Sequence, residues 1–515
     1  MAKLVQPAKK GYFFEQGYAD IKNVIKETFA QIKESIDKQR DEMDMAGKWM
    51  KIFRGSIIVA LWVFGGLISL LISGVHAVVN FIIMLFYYVL FLLVLLIDRI
   101  YLSIKKISIS CRECKAKFMY PIYLCPNCGE KHDHLTPSVY GAFKRTCNCG
   151  EKLPTSVLSL KHKRADLDAY CPECAKVGRE TPLSDRASRP VCIPVVGGPS
   201  VGKSAFITAY ANLFIDTISV DKGVDIEFYD TSVNSDYTTK KNFYRAGQIV
   251  KTAVQTDVTR ASSIAFSFFV KHQSLNPPRL VHIYDIAGES FIDGANEIQK
   301  QYDYCNGIIL LIDPFSIPDV MARFGSKLNS TDLGGTSSAN IDSMMENFIL
   351  TLEHTTGLLK SKILSTPLAI VINKTDEADL DLLIGDTAVE RLMASNPEIF
   401  TNSYDAMDYL CREFLRKVDM LDVLAHIQQN FKKTRFFAAS AIGHTLNQGR
   451  YNPRNVTPVL DWIFKNSDKK LASLITSTEF SDMKMPIVSE IEAINLEENT
   501  AEETPAEEEK VPANV

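Results

Sequence analysis

The chain has 515 residues, 46% of them hydrophobic and 23% charged, with a formal net charge of −4 at pH 7. That length holds roughly two to four domains, and the apolar fraction suits folded protein with some membrane content. A secreted, disulfide-framed chain is not expected, because MAKLVQPAKK is polar and the first apolar run starts too late and runs too long for a signal peptide. Eight of the 11 cysteines instead fall in close pairs, which in a reducing compartment reads as metal binding. Charge is uneven: residues 99–190 carry a Lys/Arg excess, and the C-terminal end is strongly acidic.

Residues 1–54 are expected to be a cytosolic amphipathic segment. From Glu15 to about Lys48, the residues Ile21, Val24, Ile25, Phe29, Ile32 and Ile36 recur at helical steps among Lys, Glu, Gln and Asp. Such a helix forms a short coiled coil, lies on a membrane surface, or packs on its own protein; the pattern leaves all three open. Residues 55–97 contain no Asp, Glu, Lys or Arg. One straight helix of that length would be roughly twice the thickness of the hydrocarbon core. The sequence therefore predicts a transmembrane helical hairpin, about Gly55–Ser73 and Ala77–Ile97, turning near Ser73-Gly74-Val75-His76. Lys48, Lys51 and Arg54 before it, and Arg99, Lys105 and Lys106 after it, place both outer ends in the cytosol. The expected location is a bacterial inner or plasma membrane, multi-pass, with termini and main domains in the cytosol. His76 and Asn80 then sit at a solvated turn.

Residues 98–190 form the cysteine-rich region. Cys111 and Cys114 with Cys125 and Cys128 make a C-x2-C-x10-C-x2-C set; Cys147 and Cys149 with Cys171 and Cys174 make a second, looser one. Each pair sits in a turn that aims two thiolates at one point, and two turns complete a tetrahedron around Zn²⁺. Two structural four-cysteine zinc sites are expected, rather than catalytic zinc or a C-x-x-C redox motif. His132 and His134 lie outside the pairs and read as surface residues. The basic residues of this region, just after a membrane segment, favour anionic headgroups. Nucleic acid is the less favoured partner, because no aromatic interleaving accompanies the charge.

From residue 191 the chain turns to phosphate chemistry. An apolar run ends in Gly197-Gly198-Pro199-Ser200-Val201-Gly202-Lys203-Ser204, which fits G-x-x-x-x-G-K-[ST]. Glycines let successive N–H groups point at phosphate oxygens, and the following helix presents its positive end to the same anion. Lys203 is expected on the outer phosphates and Ser204 on Mg²⁺. A strand then ends in Asp285-Ile286-Ala287-Gly288-Glu289, with Asp285 on Mg²⁺ and the Gly288 N–H on the terminal phosphate. Asn373-Lys374-Thr375-Asp376 follows the strand Leu368–Ile372; its carboxylate matches the two donors of guanine, which adenine lacks. Ser440-Ala441 ends a last strand, with the Ala441 N–H available to the guanine carbonyl.

These four motifs, in this order and each at a strand end, resemble the Ras-like, translation-factor class of P-loop GTPases over residues 191 to about 466. The cysteine-pair module, DIAGE and CNGIILLIDP are similar to the bacterial double-GTPase family, although one GTPase domain is present here. The resemblance implies an α/β fold: a P-loop G domain with a mostly parallel six-stranded sheet and helices on both faces. To this the sequence adds a small zinc-ribbon domain and the two-helix transmembrane hairpin. Two departures bear on activity. Pro199 stands where many Ras-like proteins have glycine, removing an N–H. Glu289 stands where they have the water-orienting glutamine, so slow intrinsic hydrolysis is expected. The Mg²⁺-sensing threonine of the first switch is Thr256 or Thr259, with Thr259 preferred.

Residues 191–485 thus read as a GTPase domain carrying helical inserts at 313–340 and 377–433, and residues 486–515 as an acidic disordered tail. The expectation is a membrane-anchored GTP/GDP switch that hydrolyses GTP slowly with Mg²⁺. Its partners are membrane lipid and an unidentified protein partner or regulator. The alternative is a nucleotide-loaded scaffold or adaptor with negligible turnover, whose zinc ribbons bind a protein or nucleic acid. An ATPase fits Asp376 poorly.

Overall fold

The structure is a computed structural model that describes residues 6–157, 163–184, 187–246, 265–286, 300–328, 337, 340–356, 365–443 and 451–481. The chain divides into two compact units, Met1–Cys111 with Lys117–Ser188, and Arg112–Ala116 with Arg189–Val515.

The first unit starts with α1 (Gln16–Asp44), then α2 (Lys48–Ala60), a π-helical turn (Leu61–Gly65) and α3 (Gly66–Lys105). The last three run on as one helix, Lys48–Lys105, among the described residues the one helix long and apolar enough to cross a membrane. The expected hairpin is therefore corrected: no turn occurs at Ser73–His76, which lie within α3. The physical reason is that no proline interrupts the run, and a single glycine costs a helix only about 1 kcal/mol, whereas a turn exposes backbone groups of both flanking segments. Asn80 and His76 also sit mid-helix, where the Asn80 side-chain amide donates to the His76 carbonyl at 2.9 Å. The 58 residues make a rod of about 87 Å at the usual rise.

Of the three alternatives for the amphipathic segment, the structure shows packing on its own protein. Ile32 lies 3.8 Å from where a Cβ on Gly65 would stand, and Arg54 pairs with Glu42. The Phe14 ring meets Tyr87 and Phe91, with centroids 6.1 and 5.6 Å away. Thus α1 runs antiparallel along the long helix and covers one stripe of it, while Trp62, Phe64, Leu71, Phe81, Phe86 and Leu92 remain exposed.

At the far end of α3, Asp98 is fully buried and receives Arg164 through both carboxylate oxygens (2.7 and 2.9 Å), the Tyr120 hydroxyl (2.9 Å) and the Val157 N–H (2.9 Å). This ion pair fixes the helix end to the cysteine-bearing module. That module is built of very short antiparallel strands. Ile122–Leu124 pairs with both Lys131–His132 and Ala169–Tyr170. Lys144–Cys147 pairs with both Lys152–Pro154 and the N-terminal Ala8–Lys9.

The second unit is built on a seven-stranded sheet. Its strands are β1 (Arg189–Val196), β2 (Asp225–Phe228), β3 (Ala265–Lys271), β4 (Arg279–Asp285), β5 (Ile308–Ile312), β6 (Leu368–Ile372) and β7 (Thr434–Ala438). Their order is β2-β3-β4-β1-β5-β6-β7, antiparallel for β2-β3 and β3-β4 and parallel for the rest. The expected six strands become seven, because Asp225–Phe228 forms an edge strand whose polar alternation gives little sequence signal. The parallel strands β1, β5 and β6 are buried along almost their whole length, as sheets covered on both faces require.

The helix that follows the first insert and a helix of the second both pack into the core around the sheet. The helix Ile341–Thr356 buries Ile341, Met344, Phe348 and Leu352. The helix Ser403–Lys417 shields edge strand β7, where the Asp408 carboxylate accepts the Phe436 N–H at 2.7 Å, and Arg412 stacks 4.4 Å over the Phe436 ring. A carboxylate on an edge N–H closes a donor that would otherwise template another strand.

Candidate nucleotide site and cysteine tetrads

Strand β1 ends at Val196, and the helix α4 (Lys203–Leu213) begins at Lys203, so the predicted phosphate loop is the connection between them. Gly202 has φ +90°, and a Cβ there would lie 2.6 Å from the Asn373 amide nitrogen, so only glycine fits. Ser200 also takes a left-handed conformation, φ 60°. Lys203 is buried and donates to the carbonyls of Gly197 (2.9 Å) and Gly198 (2.8 Å), folding its ammonium across the loop it springs from.

Ser204 donates its hydroxyl to the Asp285 carboxylate. The pairing follows from sheet register: Asp285 stands opposite Val195, so the end of β4 meets the first turn of α4. A hydroxyl touching a carboxylate at the strands' carboxyl ends is a donor set that suits Mg²⁺.

The guanine-type loop is fastened to this phosphate loop. Asn373 donates its side-chain amide to the Val201 carbonyl at 2.8 Å and accepts the Ala441 N–H at 3.2 Å. The Asn373 N–H reaches Ile312, and the Thr375 N–H reaches Ala439 at 3.3 Å. Ser440 exchanges backbone bonds with Arg454, and its hydroxyl accepts the Gly443 N–H at 2.8 Å. Gly443 has φ +83°, and a Cβ there would overlap the Asn452 carbonyl at 1.7 Å. Gly197, Gly198, Ser200, Val201, Gly202, Asn373, Lys374, Asp376, Ser440 and Ala441 lie on loops at one end of the sheet, beside Lys203 and Ser204 in the first turn of α4 and Asp285 at the end of β4, and Asn373 joins three of those loops. Thr256, Thr259, Gly288 and Glu289 lie outside the described residues.

Two charged residues near this end carried no sequence motif. Asp313, just past β5, is fully buried and accepts the Lys374 ammonium at 2.7 Å. Asp381 pairs with Arg454 at 3.2 Å; burial holds its carboxyl above the usual range, with Asp386 and Asp376 adding to the rise and Arg454 opposing it. The only hint of Asp313 in the sequence is its place at the end of an apolar strand, since its partner lies 61 residues away.

The cysteines form two tetrads whose membership differs from the expected one. Cys111, Cys114, Cys171 and Cys174 make one, and Cys125, Cys128, Cys147 and Cys149 the other, with all four sulfurs of each set within 4.8 Å of one another. The expected sequential sets are corrected to nested ones. The antiparallel pairing of Ile122–Leu124 with Ala169–Tyr170 brings the fourth cysteine pair back to the first and leaves the middle two pairs to each other. Sulfurs on a tetrahedron with Zn–S of 2.3 Å stand about 3.8 Å apart. Cys111 and Cys174 are 3.8 Å apart, Cys125 and Cys149 3.6 Å, Cys128 and Cys147 3.6 Å, so both sets fit zinc. The Glu151 backbone N–H holds the Cys149 thiol down to about 6, while burial pushes Cys147 up to about 12. His134 is exposed beside Asp133 as expected, but His132 is fully buried and lies outside both tetrads, with burial driving it down to about 4.

The parallel sheet, the phosphate loop and the Asn373 bridge define a nucleotide-binding domain of the P-loop GTPase class. Residues 191–409 match the model of the family described as Double-GTPase 2, and this segment, somewhat less than half of the chain, belongs to that family. No curated protein matches the chain. Among solved structures, the Arl6 BBS3 small GTPase of Trypanosoma brucei with bound nucleotide analogue GppNp is similar at 10% identity, covering 55% of this chain and 99% of that one. Its TM-score of 0.25 is too low for the likeness to bear on the fold.

Proposed function

We propose that this protein is a membrane-associated GTP/GDP switch that hydrolyses GTP slowly. What carries the reading is the Asn373 side chain, which couples the loop bearing Asp376 to the loop bearing Lys203. In this reading Asp376 accepts from guanine, the Ala441 N–H meets its carbonyl, and the Gly197–Gly202 amides and Lys203 hold the phosphates. Lys203 leaves its two loop carbonyls for phosphate oxygens when nucleotide enters. Ser204 and Asp285 would hold Mg²⁺, which supplies charge neutralisation between the outer phosphates. Thr259, or Thr256, and the segment with Gly288 and Glu289 are the proposed nucleotide-sensing switches. The cysteine tetrads would each hold a structural Zn²⁺ that fixes their loops.

Membrane association is proposed through the Lys48–Lys105 helix, whose apolar surface is mostly exposed and whose ends carry Lys48, Lys51, Arg54, Arg99, Lys105 and Lys106. Its output would be altered binding of a protein partner at the membrane. GTP turnover by the full chain in detergent or vesicles, against Lys203→Ala, is the test. Turnover that persists in Lys203→Ala, or is absent from wild type that binds GTP tightly, removes the enzymatic reading.

A further inference from the structure

The loop 373–379 adopts an unusual backbone. Lys374, Ala378 and Asp379, none of them glycine, have φ of 58°, 52° and 61°. Residues in that region are uncommon and persist only where surrounding contacts over-determine them. Two of the three are gripped by residues of the first insert, Asp313 and Lys327. Asp313 Oδ2 accepts both the Lys374 ammonium (2.7 Å) and the Ser337 N–H (2.9 Å), while its Oδ1 accepts the Phe315 N–H at 3.1 Å. From the other side of the insert, Lys327 donates to Asp379 at 3.0 Å.

We propose that residues 313–328 together with Ser337 clasp the guanine loop, with Asp313 as the positioning residue, and that the clasp sets guanine-nucleotide affinity and selectivity. This rests on the nucleotide-site reading above. Asp313 is wholly buried, and its carboxylate binds one cation and two backbone N–H groups, so it spans the start of the insert, its far end at Ser337 and the loop that reads the base. Charge-assisted bonds in such a place are the strong ones. Anything that pulls Ser337 or Lys327 away from the loop loosens Lys374 and Asp379 together, and with them the aim of Asp376. The insert is then the place where a protein ligand would reach the nucleotide without touching it.

The experiment follows release of fluorescent N-methylanthraniloyl-GDP and -ADP from the full chain, with unfolding temperature measured without nucleotide. Asp313→Asn keeps one acceptor oxygen, enough for only one of the two N–H groups, and withdraws the charge that holds Lys374. It is expected to speed GDP release roughly tenfold or more and to shrink the GDP-over-ADP preference by a similar factor. Lys327→Ala, at a more exposed pair, is expected to give a few-fold change in the same direction. A structural role alone would lower the unfolding temperature and leave the preference intact. A folded Asp313→Asn with wild-type GDP release and preference overturns the proposal. Should that variant not fold, unchanged release from Lys327→Ala overturns it. Wild type that binds no guanine nucleotide, with Lys203→Ala indistinguishable from it, instead defeats the nucleotide-site reading itself.

Discussion

The two units bury opposite things. In the sheet unit the apolar strands are inside, and several charges that join them are sealed in pairs, as with Asp313–Lys374 and Asp468–Arg279. In the helical unit a rod of 58 residues shows most of its apolar side chains to the outside and keeps one buried charge, Asp98, at its end. Burying side chains such as Phe348 or Phe436 contributes roughly 1.5–3 kcal/mol each. The exposed side chains of the rod contribute nothing comparable until something apolar covers them. The sheet unit therefore carries its stability within itself, and the helical unit relies on α1 packed along the rod and on the cysteine-bearing module at its end.

The largest expected effect tests how the tetrads are wired. Structural zinc in small modules contributes apparent free energies of about 10–16 kcal/mol, so losing one ion should unfold the loops it holds. With nested tetrads, Cys111→Ser and Cys171→Ser remove the same ion, and the double variant keeps the other. Cys111→Ser with Cys125→Ser removes both. Zinc measured per chain should read one and zero for these double variants against two for wild type. Sequential wiring would give the reverse, zero for Cys111/Cys171 and one for Cys111/Cys125. GTP binding in the sheet unit should survive either double variant if that unit stands by itself.

How much of this was legible in the sequence follows from the range of the interactions. The phosphate and guanine loops could be read because each motif sits at the end of an apolar strand, and parallel register delivers those ends to one edge. The cysteine residues were legible but their partners were not, because three-residue strands such as Ile122–Leu124 carry no pattern that selects Ala169–Tyr170. Ser73-Gly74 resembles a turn only when membrane thickness is assumed; the backbone simply continues through it as helix. Asp313 and Asp98 were invisible as functional groups, since each is defined by a cation about 60 residues away.

Asp98 gives the second prediction. Asp98→Asn leaves Arg164 buried beside a neutral amide, and Tyr120 loses a charged acceptor. Removing one partner of a buried pair costs about 3–5 kcal/mol. The loss should appear as faster amide exchange across 117–157 and easier zinc release, with unfolding of the sheet unit unchanged. Sheet-unit stability that falls in parallel would mean the two units unfold together and would dissolve the contrast drawn above.

The smallest effect concerns pH and sharpens the claim that the sheet unit hides its charges. His282 is fully buried on β4, with its Nδ1 2.7 Å from the Ser267 hydroxyl, and burial, helped by Arg112, drives it down to about 3. The folded state refuses a proton that the unfolded chain takes below its ordinary value near 6.5, so stability falls as pH drops through that value. Asp461 works the other way. Burial pushes its carboxyl up to about 6 against the bonds from Thr478 and Ser477, so the fold gains stability as pH drops toward the ordinary aspartate range. Between pH 7.5 and 5, His282 should cost roughly 2 kcal/mol and Asp461 should return somewhat over 1 kcal/mol, leaving wild type nearly flat. Asp461→Asn removes the compensating group and should expose a loss of about 2 kcal/mol across that window. Denaturant unfolding followed by Trp462 reads this directly, since Trp462 is buried while Trp49 and Trp62 are exposed in the folded chain. A variant as flat as wild type would mean His282 is protonated inside the fold, and the sheet unit would then not exclude charge as its core implies.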